Sequence, residues 1–391
     1  MSDPVTRQYS AHPYPAPGVD LDRRVSLNDP GTFSTIYWPD RPRRGGLEIL
    51  VAGCGTVEAA ALARRHPDAR VVGIDISPAA LERQRTLAAT HGLANLELVE
   101  LPVEQAGALG RTFDFVSVAG VLHHLADPTA GLNALGGVLR KQGVISAAVY
   151  GRHARAGLNA LQATLAAMGL DGERPVDRQT VRQVLAALPA QHPATQWMAR
   201  TGEQGVLDAH LVDAFLPARE ATFDVPGVLA MVERAGLAFQ GWLQNGPYHP
   251  DALFVPGSPA HSAIEKLPPA DRWAACARLT APLDHWFVAC RADRPGRWRV
   301  DCDADDLLAW VIGRRYPMGV RHPTLPYDPR DPLQEALYRP IDGRRTVREV
   351  LIAAGLQGDY QAQVALARRF IRHLWRKDAI YVVLPAAEPG R

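Results

Sequence analysis

An apolar segment, Leu47-Glu48-Ile49-Leu50-Val51-Ala52, runs directly into Gly53-Cys54-Gly55, and a second apolar segment ends on Asp75, about 20 residues later. This feature constrains the fold more than any other. Glycines at 53 and 55 let the backbone turn sharply and approach a ligand closely. Glu58-Ala59-Ala60-Ala61-Leu62-Ala63-Arg64-Arg65 is rich in strong helix formers, and Ala69 to Asp75 reads as a short buried strand. Strand, helix and strand make a βαβ unit, which requires parallel pairing and a right-handed crossover. A carboxylate at the tip of the second strand can accept hydrogen bonds from ribose hydroxyls, so the pattern points to an adenosine-containing ligand. The turn continues Thr56-Val57-Glu58, with no third glycine to cradle a pyrophosphate, and therefore suits a ligand without phosphates.

The alternation continues. Ser77-Pro78 supplies an N-cap and a proline at the first helical position, opening a helix over Ala79 to Thr90 that stops at His91-Gly92. Leu96 to Val99 and Phe113 to Gly120 read as strands, Leu132 to Leu139 as a helix, and Gly143 to Tyr150 as a fifth strand. The expected fold is α/β, with a Rossmann-like parallel sheet.

With those segments in place the chain resembles the class I S-adenosylmethionine-dependent methyltransferases over roughly residues 45–295. The resemblance rests on Ile49 to Gly55, on Val72-Gly73-Ile74-Asp75-Ile76-Ser77, and on Phe113 to Pro128 with its His123-His124 pair. It implies that Gly53, Cys54 and Gly55 contact the methionine part of S-adenosyl-L-methionine, with Ala52 beside them in the cofactor site, that Asp75 holds the ribose, that Ile76 lies against the adenine, and that Val103 offers it backbone groups. Ala119 and Gly120 would border the amino-acid portion. Val51, Val57 and Pro102 stand where the family often carries an acidic residue, a glycine and an acidic residue.

Residues 1–44 are rich in proline and aromatic residues and are expected to pack over the catalytic domain. Gln8-Tyr9-Ser10-Ala11-His12-Pro13-Tyr14-Pro15 resembles an N-terminal element of some of these methyltransferases, with Tyr9 and Tyr14 as lid residues; plain packing is the alternative. Residues 151–222 read as a helical insertion, with helices at Leu158 to Met168, Thr180 to Leu188 and Val206 to Phe215. The insertion leaves the carboxyl end of the fifth strand, where ligands bind in open α/β sheets, and serves either substrate selection or cladding. Pro226 to Ala235 is then a helix, Leu237 to Leu243 a strand, and Leu283 to Arg291 a last strand, antiparallel by the resemblance.

From about Gly296 the composition shifts. A short helix is expected at Asp305 to Val311, a proline-rich connector at Pro317 to Pro332, and then a compact unit. That unit holds Leu333 to Tyr338, a helix Val347 to Ala354 capped by Thr346 and Glu349, a helix Gln361 to Arg376, and a strand Ala379 to Leu384. It looks like a small winged-helix domain over 296–391, and Asp342 to Leu351 weakly resembles the core of PqqD-type peptide-carrier proteins. Arg368, Arg369, Arg372, Arg376 and Lys377 lie off the apolar face of the longer helix. They are read as a solvated face or one paired with acids elsewhere, in preference to a nucleic-acid surface.

The net charge of +2 gives no general attraction to nucleic acid. Cys54, Cys276, Cys290 and Cys302 show neither zinc-ligand nor disulfide-framework spacing, so no metal is expected. With no membrane-length apolar run and no basic, apolar leader in Met1-Ser2-Asp3-Pro4, a cytoplasmic protein is expected by default. The oligomeric state is not legible.

The expected activity is methyl transfer by in-line displacement to a small-molecule or peptide/protein acceptor. In such a reaction the protein chiefly aligns reactants and excludes water. A base is needed only for a poorly acidic hydroxyl or a protonated amine, and His123 and His124 sit where one could act or could simply shape the pocket. The competing reading is a non-catalytic S-adenosylmethionine-binding adaptor or regulator acting through the C-terminal domain.

Overall fold

The apolar runs ending at Gly53, Asp75 and Gly120 become strands of one sheet. A computed structural model describes all residues except 1–2, 16–20, 22–27, 44, 203–206, 316–331, 357–358 and 386–391. The strands are β1 (Glu48–Ala52), β2 (Arg70–Asp75), β3 (Leu96–Glu100), β4 (Phe113–Ala119), β5 (Leu139–Tyr150), β6 (Leu237–Trp242) and β7 (Asp284–Arg291). They form a seven-stranded sheet in the order β3-β2-β1-β4-β5-β7-β6. β1 to β5 are parallel, and β7 inserts antiparallel to β5, pairing Tyr150 with Asp284 and Ala148 with Trp286. Ile49, Leu50, Val71, Val72, Phe115, Val116 and Ile145 are fully buried, as central strands covered on both faces require. The chain order reverses between β1 and β4, which opens a ligand crevice at their carboxyl ends.

Local signals account for most boundaries. Ser77 Oγ accepts from the Ala80 N–H, Pro78 occupies the first turn, and Gly92 at φ 63° ends the helix Pro78–His91. Two stretches differ from expectation. The helix expected over Leu132 to Leu139 runs from Pro128 to Gly137, because Asp127 caps the Thr129 and Ala130 N–H groups and Gly136-Gly137 ends it. Leu139 instead begins β5, which carries a bulge against β4 between Leu139 and Val144. Asp305 to Val311 is a short 3₁₀ turn, Leu307–Ala309, followed by β8 (Val311–Arg314) rather than a helix, since β8 pairs antiparallel with β9 (Ile380–Val383). That long-range pairing overrides the local helical pattern.

The insertion holds helices Arg152–Ala167, Pro175–Ala187, Pro193–Thr201 and Asp208–Phe215. They share a core of Leu158, Leu161, Leu165, Val181, Trp197, Leu211 and Phe215. The helix at Pro193, with its proline in the first turn, was not anticipated, nor were helices Pro259–Glu265 and Pro269–Thr280.

The chain forms two compact units: Met1–Asp29, Gly45–Phe239 and Ala281–Arg294 in one, and Pro30–Arg44, Gln240–Thr280 and Pro295–Arg391 in the other. This grouping departs from single cuts after residues 44 and 295. In the second unit Leu384 N–H donates to the Pro39 carbonyl (2.7 Å), and Gln240 Nε2 to the Ile36 carbonyl (2.7 Å). Its C-terminal part contains helices Pro332–Tyr338, Val347–Ala353 and Tyr360–Arg376 with β8 and β9, and Thr346 and Glu349 form a reciprocal capping box. The arginines of the longest helix are engaged by acids: Arg376 by Asp251 and Glu265, Arg372 by Asp303. The expected connector at Pro317 to Pro332 lies almost wholly outside the described residues, as does Val206.

Candidate functional site

β1 carries Ala52 to the carboxyl edge of the sheet, where the chain reverses through Gly53 (φ 66°) and Gly55 (φ 53°). A side chain in that left-handed region costs about 1–2 kcal/mol. Space is also lacking: a Cβ on Gly53 would lie 2.4 Å from Val121 Cγ2, and one on Gly55 would lie 2.7 Å from the Tyr14 carbonyl oxygen. Cys54, buried between them, donates its N–H to the Ile74 carbonyl (2.9 Å), and burial pushes its thiol well above the usual range. It is a small neutral packing residue.

Asp75 closes the turn from the neighbouring strand. Its Oδ2 accepts from the Gly55 N–H (2.7 Å) and its Oδ1 from the Ser77 N–H (2.9 Å). A carboxylate has about four acceptor positions, so these bonds orient the group and leave lone pairs for ligand hydroxyls. Burial raises its pKa, and the backbone donors oppose that rise.

These groups border a cavity of about 620 Å³, within the range that encloses a nucleoside-sized ligand. Ala52, Gly53, Cys54, Gly55, Asp75 and Ile76 form one part of its wall, and Val103, Ala119 and Gly120 another. His123, His124, Tyr9 and Tyr14 also line it, so all the residues singled out in the sequence converge here.

The N-terminal segment is tied to the turn by backbone groups. Thr56 Oγ1 donates to the Pro15 carbonyl (2.7 Å) and Ser77 Oγ to the Tyr9 carbonyl (2.9 Å). The Tyr9 hydroxyl donates to Asp213 of the insertion (2.6 Å) and lies 3.1 Å from His124 Nε2. His124 Nδ1 in turn donates to the Arg219 carbonyl (2.7 Å). Both His124 nitrogens are thus committed to holding the N-terminal segment against the insertion.

His123 is different. It is 1% exposed, neither ring nitrogen has a hydrogen-bond partner, and burial holds its pKa well below the usual value. The neutral ring stacks on Tyr150 (3.7 Å between centroids), while the Arg155 guanidinium lies 3.7 Å from the same ring. Arg155 is itself engaged twice by Glu220, at 3.1 and 2.6 Å.

Several lining residues were missed in the sequence: Asn28, Ser117, Tyr150, Asp213, Asp284 and Trp286. Tyr150, Asp284 and Trp286 reach the cavity because β5 and β7 pair in register, and register across about 130 residues leaves no local signature. Asp284 accepts no hydrogen bond among the described residues, and burial pushes its carboxyl up to about 6 against the opposing influence of Arg155. Among the described lining residues, Asp3, Glu58, Asp75, Glu104, Asp213 and Asp284 face one arginine, Arg219, which is paired with Asp3. Such a wall favours cationic ligands.

Residues 50–145 match the family described as Methyltransferase domain. Over 383 residues the chain is 27% identical to the uncharacterized protein syc1184_c of Synechococcus sp., covering 91% of this chain and 90% of that one. A 130-residue stretch is 32% identical to the ribosomal protein L11 methyltransferase of Aeromonas hydrophila; it covers 32% of this chain and 44% of that enzyme, under half of the relative's length. The fold is similar to that of PKMT2 from Rickettsia typhi in complex with AdoHcy, with a TM-score of 0.64 at 13% identity over 95% of this chain and 78% of that one.

Proposed function

We propose that the chain, an S-adenosylmethionine-dependent methyltransferase, holds its cofactor at the β1 turn and the β2 tip and receives its methyl acceptor in the same cavity. The acceptor is a small molecule or a group on a peptide or protein, bound where Tyr9, Tyr14, Tyr150, Asp284 and Trp286 line the wall. One observation carries this reading: Asp75, fixed by the Gly55 and Ser77 N–H groups, shares a cavity with the whole glycine turn and with the ends of β4, β5 and β7.

The cofactor supplies a methyl group on a sulfonium. The residues of this chain supply alignment and dryness. Gly53 and Gly55 allow close approach, Asp75 offers its remaining lone pairs to the ribose, Ile76 packs against the base, and Val103 offers it backbone groups. Tyr9, His124 and Asp213 fasten the N-terminal helix Pro4–Ala11 over the site, which excludes water and keeps electrostatic interactions strong. His123, with two free nitrogens, can accept or relay a proton, whereas His124 positions the wall.

Calorimetric titration with S-adenosylhomocysteine tests the cofactor site. Asp75→Asn is expected to weaken binding by about 1–3 kcal/mol, the range for a hydrogen bond to a charged group. Unchanged affinity would remove Asp75 from the ribose site.

For residues 296–391 we propose a recognition role rather than a catalytic one. Two helices followed by a strand that pairs back onto β8 support a winged-helix-like unit. No helix among the described residues is long and apolar enough to cross a membrane, and a cytoplasmic location is part of this proposal.

A further inference from the structure

The carboxylate of Asp284 stands at the start of β7, opposite Tyr150 at the end of β5, and lines the cavity without a hydrogen-bond donor among the described residues. β7 lies three strand spacings from β1, about 14 Å at 4.8 Å per strand, which separates Asp284 from the glycine turn. The nearby cation, Arg155, is already engaged by Glu220. A half-buried carboxylate with no donor is incompletely solvated, and a cation from outside the protein would relieve that cost. We propose that the methyl acceptor is a protonated amine whose ammonium group is held against Asp284.

Three further observations support an ammonium over a neutral hydroxyl. Carboxylates outnumber arginines six to one on the described cavity wall, so a second positive charge beside a sulfonium is tolerated there. Tyr9, Tyr14 and Trp286 line the same wall and can offer cation–π contacts, which strengthen when desolvated. His123, buried with both nitrogens unpartnered, adds a lone pair and an N–H within the cavity without adding charge.

An ammonium must lose a proton before its nitrogen can be methylated. The N–H bond that breaks leaves its pair on nitrogen for the new N–CH₃ bond, and the proton goes to the Asp284 carboxylate and then to solvent. The pair of the broken S–CH₃ bond stays on sulfur, so the products are a thioether, an N-methylammonium and one proton.

This inference rests on the cofactor site proposed above, and the test separates the two. The full-length protein is saturated with S-adenosylhomocysteine and titrated calorimetrically with n-butylammonium chloride, and in parallel with neutral 1-pentanol, up to about 10 mM. The expected result is butylammonium binding at least tenfold tighter than pentanol binding, lost in Asp284→Asn while the affinity for S-adenosylhomocysteine is retained. Equal binding of the two probes, or undiminished butylammonium binding by Asp284→Asn, overturns the amine site and leaves the cofactor site standing. Loss of S-adenosylhomocysteine affinity in Asp284→Asn also overturns it, by assigning Asp284 to the cofactor. Failure of the wild-type protein to bind S-adenosylhomocysteine refutes the cofactor reading itself, and the amine site with it.

Discussion

In the proposed amine site Asp284 sets ligand binding against stability, and the size of that conflict follows from its surroundings. Burial raises its carboxyl from 3.8 to about 6, and Arg155 only partly offsets the rise. A raised carboxyl pKa means that the unfolded chain releases this proton at lower pH than the folded one. Between the two values the folded state binds more protons, so stability falls as pH rises from about 4 to about 6 and is level above that. The difference of about two pKa units, at 1.36 kcal/mol each, corresponds to a penalty of about 3 kcal/mol at pH 7.5 and about half as much at pH 5. Asp284→Asn removes the charge while keeping the shape. The variant should therefore be more stable than the wild type by on the order of 2–3 kcal/mol at pH 7.5, and by clearly less at pH 5. At roughly 2–4 °C per kcal/mol the gain is on the order of 5–10 °C in Tm, measured by calorimetry at both pH values without ligand. The charged and titratable groups around the site, Tyr150, Arg155, His123, Glu220 and Asp213, are unchanged in the variant. An equal or lower Tm at pH 7.5, or a gain independent of pH, would refute the assignment of Asp284 as a half-buried carboxylate that Arg155 only partly compensates.

Two further substitutions probe the cofactor side and its cover. Gly55→Ala places a Cβ at φ 53° and 2.7 Å from the Tyr14 carbonyl oxygen; the turn must shift, and S-adenosylhomocysteine affinity measured by calorimetry should fall by at least tenfold. An unchanged affinity would show that the turn does not meet the ligand. Tyr9→Phe removes the hydroxyl between Asp213 and His124 and leaves two buried polar groups short of a partner, at a cost of about 1–3 kcal/mol. Limited proteolysis should then cleave the N-terminal segment faster than in the wild type, and equal rates would count against its role as a fastened cover.

Much of the proposed cofactor half was legible in the chain itself. Gly53, Gly55 and Asp75 belong to one βαβ unit, and their spacing is set by one strand, one helix and the next strand, so local periodicity and turn chemistry sufficed to bring them together. The same holds for Ala119, which ends a strand, and His123, which follows it, because that strand's end must lie at the same edge of a parallel sheet. Leu139 and Val311 resisted that reading, because each is drawn into a strand by a partner far away in sequence and local propensity yields to that pairing.

The proposed acceptor half is a product of tertiary structure. Asp284 and Tyr150 are neighbours only because β7 inserts antiparallel between β5 and β6, and a one-residue slip of β7 would turn Asp284 to the other face, away from Tyr150. His123 and His124 are adjacent and chemically identical in the sequence. The fold makes them different, spending both nitrogens of one on Arg219 and Tyr9 and leaving both nitrogens of the other unpaired in a buried cavity. Sequence thus determined the site built from local turns, while burial and long-range pairing decided which charges within it are left for a ligand to satisfy.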